Sequence, residues 1–522
     1  MPGKLGSRSR SVLLAVVLAL AAWAPAGATV TGGEEQVVTT GTMPANPAQA
    51  GTPWAWEPGM SPDPRGWVWV AGNHCPLLDN HLFTSQGLCH DLVTEGTLPT
   101  YAPVWVSRDG GRTYVFVADP LRGSRNASPT SPGGEDTDIA VQALARPGRT
   151  PLLYVISAWG GSATLAISGD DGLSWRLAQV TAAPFTVAGI DRPWLAAAGA
   201  CDLFLQYHPL LGSQNLAAAP RVDHFDGCAL FDSAVAGEIA ATPVSSAPVE
   251  PPAQQANGVQ VMGKLVATGG RVHLPYVACD VVPETNLNCD GPADHQGLHL
   301  ASSSDSGASW QDTALPDGNL VSPLNDGVWP ISMGADGPNL AVAVTDTHHV
   351  HLWSSSDGGR SWRLHPGNLD APLGWNLATV PSVAVHGGRI SVAWFGSGPA
   401  AGAAAQQEWR LVVARSADHG ETFSIQPLDP VLATTRHGNP LGDLLYDDFG
   451  AFITPDGATL LVYTQSCSGR SPAEHTCPGP PSAGAQGTFE MVRYARIEPG
   501  STADHPAGAG VPIFGSLPNT GR

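Results

Sequence analysis

SSSDGGRSW, residues 354–362, decides the architecture, because the chain carries four more copies of it. They are VSRDGGRTYVF at 106–116, ISGDDGLSW at 167–175, SSSDSGASW at 302–310 and RSADHGETF at 415–423. The shared pattern is Ser-x-Asp-x-Gly-x-Ser/Thr-aromatic, with its aspartates at Asp109, Asp170, Asp305, Asp357 and Asp418. Each part has a job in closing a β-hairpin: the Asp accepts backbone N–H groups across the turn, the Gly takes a positive φ, and the aromatic packs beneath the sheet. One such turn is common in any β protein, whereas five mark a repeat architecture.

The aspartates lie 61, 135, 52 and 61 residues apart, so the wide interval has room for a repeat whose turn has decayed. NLAAAPRVDHFDG, Asn215 to Gly227, fills it. Two further apolar runs form a second register. The first begin near Trp54, Asp138, Pro193, Gln260, Pro330, Pro381 and Asp448; the second include WVWVA from Trp67, LLYVIS from Leu152, NLAVAVT from Asn339 and TLLVYTQ from Thr459. Val-, Ile- and aromatic-rich runs bounded by Gly, Pro and Asp are strand signals. The reading is an all-β propeller of four-stranded blades, seven in number, or six if the first or last repeat is incomplete. Closing the ring removes exposed sheet edges, and QVVTT, Gln36 to Thr40, is placed to supply the outer strand of the last blade.

The repeated turn resembles the Asp box, or BNR repeat, of the sialidase-like β-propellers, over Trp54 to Ile497. DRPWLA, GGEDTDIAV and the LGD…DDFGAFITPDG stretch are similar to a group of bacterial secreted propellers commonly labelled exo-α-sialidase. The resemblance implies that the boxes carry fold and not catalysis. It also implies a Phe/Tyr-Arg-Ile-Pro motif ahead of the first box, three arginines around the substrate carboxylate, and a Tyr nucleophile assisted by Glu and Asp. That tetrapeptide is absent, and the nearest match is Asp191-Arg192-Pro193-Trp194 in the third repeat. Arg271, Arg389, Arg410 or Arg436 would have to complete the arginine set, and Tyr446, beside Asp443 and Asp447, is the candidate nucleophile. Two functions stay open: a glycoside hydrolase of sialidase type, or a non-catalytic propeller binding glycan or protein.

Residues 1–28 carry Lys4, Arg8 and Arg10, an apolar run and Ala26-Gly27-Ala28. They read as a signal peptide, followed by an N-terminal extension at 29–52, the propeller at 53–497, and a disordered Pro/Gly/Ala-rich tail at 498–522. The tail ends in Leu517-Pro518-Asn519-Thr520-Gly521, which resembles the sortase signal for cell-wall attachment. A secreted or wall-associated monomer is expected, with no membrane span after signal removal. Forty-five acidic and 25 basic residues give a net charge of −20, which argues against nucleic acid as partner and against anionic sugars unless arginines are locally concentrated. No nucleotide signature is present, and no cofactor is required beyond calcium as an option.

Eight cysteines form four close pairs, Cys75–Cys89, Cys201–Cys228, Cys279–Cys289 and Cys467–Cys477. Each lies within one repeat, so sequential disulfides are expected in an exported chain. A metal reading competes around His74, Cys75, His81, Cys89, His90 and Asp91, but ligand-like Cys-x-x-Cys spacing is lacking.

In a blade ordered from the axis outward, the start of the first strand and the second-to-third loop share one face, and the boxes occupy the other. Three cysteine pairs sit in long second-to-third loops, which on a rigid scaffold are more often functional than not. Acidic residues gather where first strands begin: Glu135, Asp136 and Asp138, Asp191, Asp326, and Asp447 with Asp448. Strand capping, a hard-cation site and paired carboxylates for glycoside hydrolysis are the three readings. Trp159, Trp194, Trp329, Trp375 and Tyr446 offer faces for sugar rings, with core packing the ordinary alternative.

Overall fold

The computed structural model describes residues 29–31, 38–44, 55–73, 102–121, 135–144, 147–159, 162–180, 189–211, 216–217, 220–234, 239–249, 261–279, 296–318, 331–398, 407–428, 431–435, 445, 449–466 and 490–499. These form seven antiparallel blades arranged as a β-propeller. Blade 1 comprises strands Trp56–Pro62, Val68–Asn73, Val104–Ser107 and Val115–Ala118, and blade 2 comprises Glu135–Val141, Leu153–Trp159, Ser162–Ser168 and Arg176–Val180. Blade 3 is built on Gly189–Ala198, Asp202–Leu211, Arg221–Asp226 and Ser245–Pro248. In blade 4 the innermost strand is split into Val261–Met262 and Val266–Thr268, followed by Arg271–Cys279, Gln296–Ser303 and Gln311–Ala314. Blades 5 and 6 start at Ile331–Asp336 and Leu377–His386.

Blade 7 has Gly450–Ile453, Thr459–Ser466 and Glu490–Ile497 from the end of the propeller, and its outermost strand is Val38–Thr42. That strand runs antiparallel to the third, from Val38 opposite Ile497 to Thr42 opposite Arg493. The expected ring closure is therefore present, two residues further on than Gln36–Thr40. Thr29–Thr31 adds a parallel strand outside blade 6.

The core divides into seven clusters, one at each blade boundary. The cluster joining blades 7 and 1, for example, packs Leu460, Val462 and Val492 against Val68, Val70 and Trp105. Polar ties supplement it around the axis, because side chains of one inner region accept backbone N–H groups from the next blade. Ser61 Oγ takes Val141 N (3.0 Å), Asp138 Oδ2 takes Leu195 N (2.8 Å), Gln206 Oε1 takes Leu265 N (2.6 Å), and Thr268 Oγ1 takes Gly337 N (2.8 Å). Ser332 Oγ takes Val383 N (3.0 Å), and Thr464 Oγ1 takes Glu57 N (3.1 Å) across the closure. Arg496, fully buried, seals the same boundary on the opposite face through Gly110 O (2.6 Å), Asp456 and Glu498.

All five repeated turns close as their composition requires. At Asp357, Oδ1 accepts from Ser355 Oγ (2.8 Å) and Ser361 N (2.9 Å), Oδ2 accepts from Ser361 Oγ (2.6 Å), and Gly359 holds φ at 83°. Donation of this kind favours the ionised form and holds Asp305 and Asp357 down at about 2. A carboxyl depressed in the folded state stabilises it fully above its unfolded value and loses that contribution as pH falls through the folded one. The melting temperature should thus decline between about pH 4 and pH 2, and by less in Asp357→Asn. Thermal melts across that range check this; a flat or rising profile below pH 4 contradicts it.

The decayed repeat is blade 3. Its third strand ends at Asp226, whose side chain caps a short helix, Gly227–Ser233, through Ala229 N (2.9 Å), in place of a box. Cys228 on that helix is bonded to Cys201. Of the other expected disulfides, only the backbone of Cys279 is described; Cys75, Cys89, Cys289, Cys467 and Cys477 lie outside the described residues, as do the signal peptide and all of the tail after residue 499. Among the described residues no helix is long and apolar enough to cross a membrane.

Candidate functional site at the channel mouth

The seven inner strands enclose an axial cavity of about 350 Å³. On the face where those strands begin, four of them bulge. The register shifts between Trp56 and Gly59, Glu135 and Thr137, Asp191 and Trp194, and Thr379 and Ser382. At each bulge a non-glycine residue has a left-handed backbone: Glu57 (φ 45°), Asp136 (35°), Arg192 (53°) and Val380 (48°). Glu57, Arg192 and Val380 also precede prolines, which adds steric restriction. Such conformations cost about 1–3 kcal/mol each and persist where the surroundings over-determine them, typically at functional sites.

Three of the four residues are charged and occupy successive blades. Asn73, fully buried at the end of the second strand of blade 1, donates through Nδ2 to Glu57 Oε2 (2.5 Å) and accepts Thr137 N through Oδ1 (2.7 Å). It therefore links the bulge of blade 1 to that of blade 2. Asp136 Oδ2 accepts Arg192 N (3.2 Å), which links blade 2 to blade 3. One step deeper, buried Asp138 accepts Leu195 N through Oδ2 and Lys264 Nζ through Oδ1 (3.1 Å). Lys264 comes from the break in the inner strand of blade 4, with its Nζ 5.7 Å from the centre of the Trp194 ring. Gly59 leaves the space for this arrangement, since a Cβ there would lie 2.3 Å from Asp138 Oδ1.

Sequence reading singled out Asp136, Asp138 and Arg192, and the structure brings all three together. It refines the capping reading, because both carboxylates accept backbone N–H groups of the neighbouring blade. Trp194 is core, 5% exposed. Asp191 sits at the bulge and Trp159 ends the second strand of blade 2, with only their backbones described; Asp326, Tyr446, Asp447 and Asp448 lie outside the described residues. Arg271 and Arg389 open second strands on the box face, so neither can join Arg192 at the mouth. Arg410, beside Glu408 (3.6 Å), is on the third strand of blade 6.

Glu57, Asn73 and Lys264 were missed. Signals for two of them exist: Glu57 precedes Pro58 as Arg192 precedes Pro193, and Lys264 is the only lysine after Lys4. Asn73 has none, since its role depends on partners 16 and 64 residues away. Among the described residues, one group of three His, Cys, Asp or Glu side chains lies close enough to share an ion, Cys201, Asp226 and Cys228, and its two cysteines are bonded to each other.

Neither a family model nor a curated protein matches the chain. Solved structures do. An α-L-arabinanase of Penicillium chrysogenum complexed with arabinobiose is 15% identical, with a TM-score of 0.41 over 72% of this chain and 98% of the other. The intramolecular trans-sialidase of Ruminococcus gnavus is 12% identical, with a TM-score of 0.39 over 88% and 97%. The Aleuria aurantia lectin, in complex with α-methyl-L-fucoside, is 11% identical, with a TM-score of 0.34 over 63% and 88%. Similarity at this level carries no chemistry from one chain to the other.

Proposed function

We propose that this chain is a carbohydrate-recognising propeller that engages a glycan at the channel mouth of blades 1 to 4. The observation that carries the reading is the run of charged residues held in strained backbone on successive blades, Glu57, Asp136 and Arg192. Carboxylates accept sugar hydroxyls, guanidinium and ammonium groups donate to ring and hydroxyl oxygens, and the cavity beneath lies within the range of ligand sites. The second strands of blades 1, 4 and 7 end, and their third strands begin, on the same face. Export through residues 1–28 would place it outside the cell, where such glycans occur.

Hydrolysis is the second reading, favoured by acidic side chains from adjoining blades at one mouth, since general acid/base cleavage of a glycosidic bond uses a pair of carboxyl groups. With Arg271 and Arg389 on the far face, Arg192 would need Arg410 or Arg436 to hold a sialic acid carboxylate, whereas a neutral sugar needs neither. Glycan-array binding by residues 29–522, with fluorogenic sialosides and neutral glycosides assayed with and without calcium, tests both. Binding that Arg192→Ala weakens at least tenfold is expected, about 1.4 kcal/mol. Sugar release abolished by Glu57→Gln would establish the hydrolase; an array with no bound glycan, and no turnover, would sink the proposal.

A further inference from the structure

A second cleft, of about 190 Å³, opens on the box face between blades 5 and 6. It is smaller than sites for drug-sized ligands, so it suits one small molecule. Trp362 from the blade 5 box lines it, with Ser356, Ser361 and Arg363 from the same blade and His419 and Glu421 from blade 6. Arg363 and Glu421 pair across the two blades, with side chains 40% and 53% exposed.

Arginines at other blade boundaries show the ordinary structural use of this position. Arg65 bonds Asp171 and lies 3.9 Å over the Trp67 ring between blades 1 and 2, and Arg176 lies 4.0 Å over Phe231 between blades 2 and 3. Both boundaries are plugged by a guanidinium on an aromatic ring. Between blades 5 and 6, Arg363 turns to Glu421 instead, and Trp362, which packs against the core between blades 4 and 5 and donates its Nε1 to Gly359 O, lines the cleft. Gly388 gives the His419 ring its place at the cleft, because a Cβ there would lie 2.3 Å from it.

An aromatic face beside a carboxylate, a guanidinium, an imidazole and hydroxyls matches the amphipathic surface of a single sugar ring. We propose that this cleft binds one neutral hexose unit, independently of the channel mouth, so that one chain holds two glycans on opposite faces. Saturation-transfer NMR with the methyl glycosides of glucose, galactose and mannose tests it, using wild type, Glu421→Ala, Ser356→Trp and, as mouth control, Arg192→Ala. Glu421 and Ser356 are exposed, so thermal melts near that of wild type are expected for both cleft variants.

At least one glycoside should bind with a dissociation constant of about 1 mM. With the mouth disabled by Arg192→Ala, that binding should persist, and each cleft substitution added to Arg192→Ala should weaken it at least tenfold. No binding by the Arg192→Ala chain, or binding by that chain that survives both cleft substitutions, overturns the cleft site. The mouth reading is judged separately, by Arg192→Ala on the array.

Discussion

A chain beginning at residue 45 should fail to fold into a stable ring, whereas one beginning at residue 37 should melt close to the chain beginning at Thr29. The shorter chain lacks Val38–Thr42, and with it the fourth strand of blade 7. Five residues of ladder contribute about 1 kcal/mol net for each hydrogen bond. Met43, 1% exposed in the cluster between blades 7 and 1, contributes about 2 kcal/mol by burial. Trp105 Nε1 also loses Pro44 O as its acceptor (2.8 Å). Together these approach the whole stability of an ordinary domain, about 5–15 kcal/mol. The deletion also bares Glu490–Ile497 as an edge, which invites aggregation. Circular dichroism melts and size-exclusion profiles of the three chains test this; similar melting of the 45- and 37-start chains would show that the closure carries little of the stability.

Lys264→Met should cost about 2–3 kcal/mol, and Asp138→Asn in the same chain should restore most of it. Alone, the first substitution leaves a carboxylate that is 3% exposed with Leu195 N as its remaining donor. Breaking a buried pair on one side costs about 3–5 kcal/mol, reduced here because the Lys264 side chain is 26% exposed. In the double variant, the Asp138→Asn amide would keep an acceptor for Leu195 N without a charge to desolvate. Urea denaturation of the four proteins gives the coupling directly; additive losses would mean that the two side chains do not depend on each other. Because Lys264 is the only lysine after Lys4, amine-selective labelling of the chain without its first 28 residues would report the same pair, apart from the α-amino group.

Some of this was legible in the residues. SSSDGGRSW and its copies were read correctly because a hairpin turn is closed by groups within four positions of one another, as at Asp357, Gly359 and Ser361. Strand runs were legible for a similar reason, since burial of a whole blade leaves near-continuous Val, Ile and Leu, as in Asn339–Thr345. Even the missing box of blade 3 showed as a gap in the spacing. Its replacement by a helix capped at Asp226 did not, since a seven-residue helix has no periodicity to read.

By itself, then, the sequence determined the repeat, a ring of seven or six blades, and the face on which the turns lie, because hairpin chemistry is local and recurs in five copies. Tertiary structure alone decided which polar groups meet. Arg192 and Asp136 are 56 residues apart, Lys264 and Asp138 are 126 apart, and Glu57 and Thr464 are 407 apart. These partners are set by the closure of the ring, which brings the start of every inner strand to one mouth, and no local pattern records a distance across it.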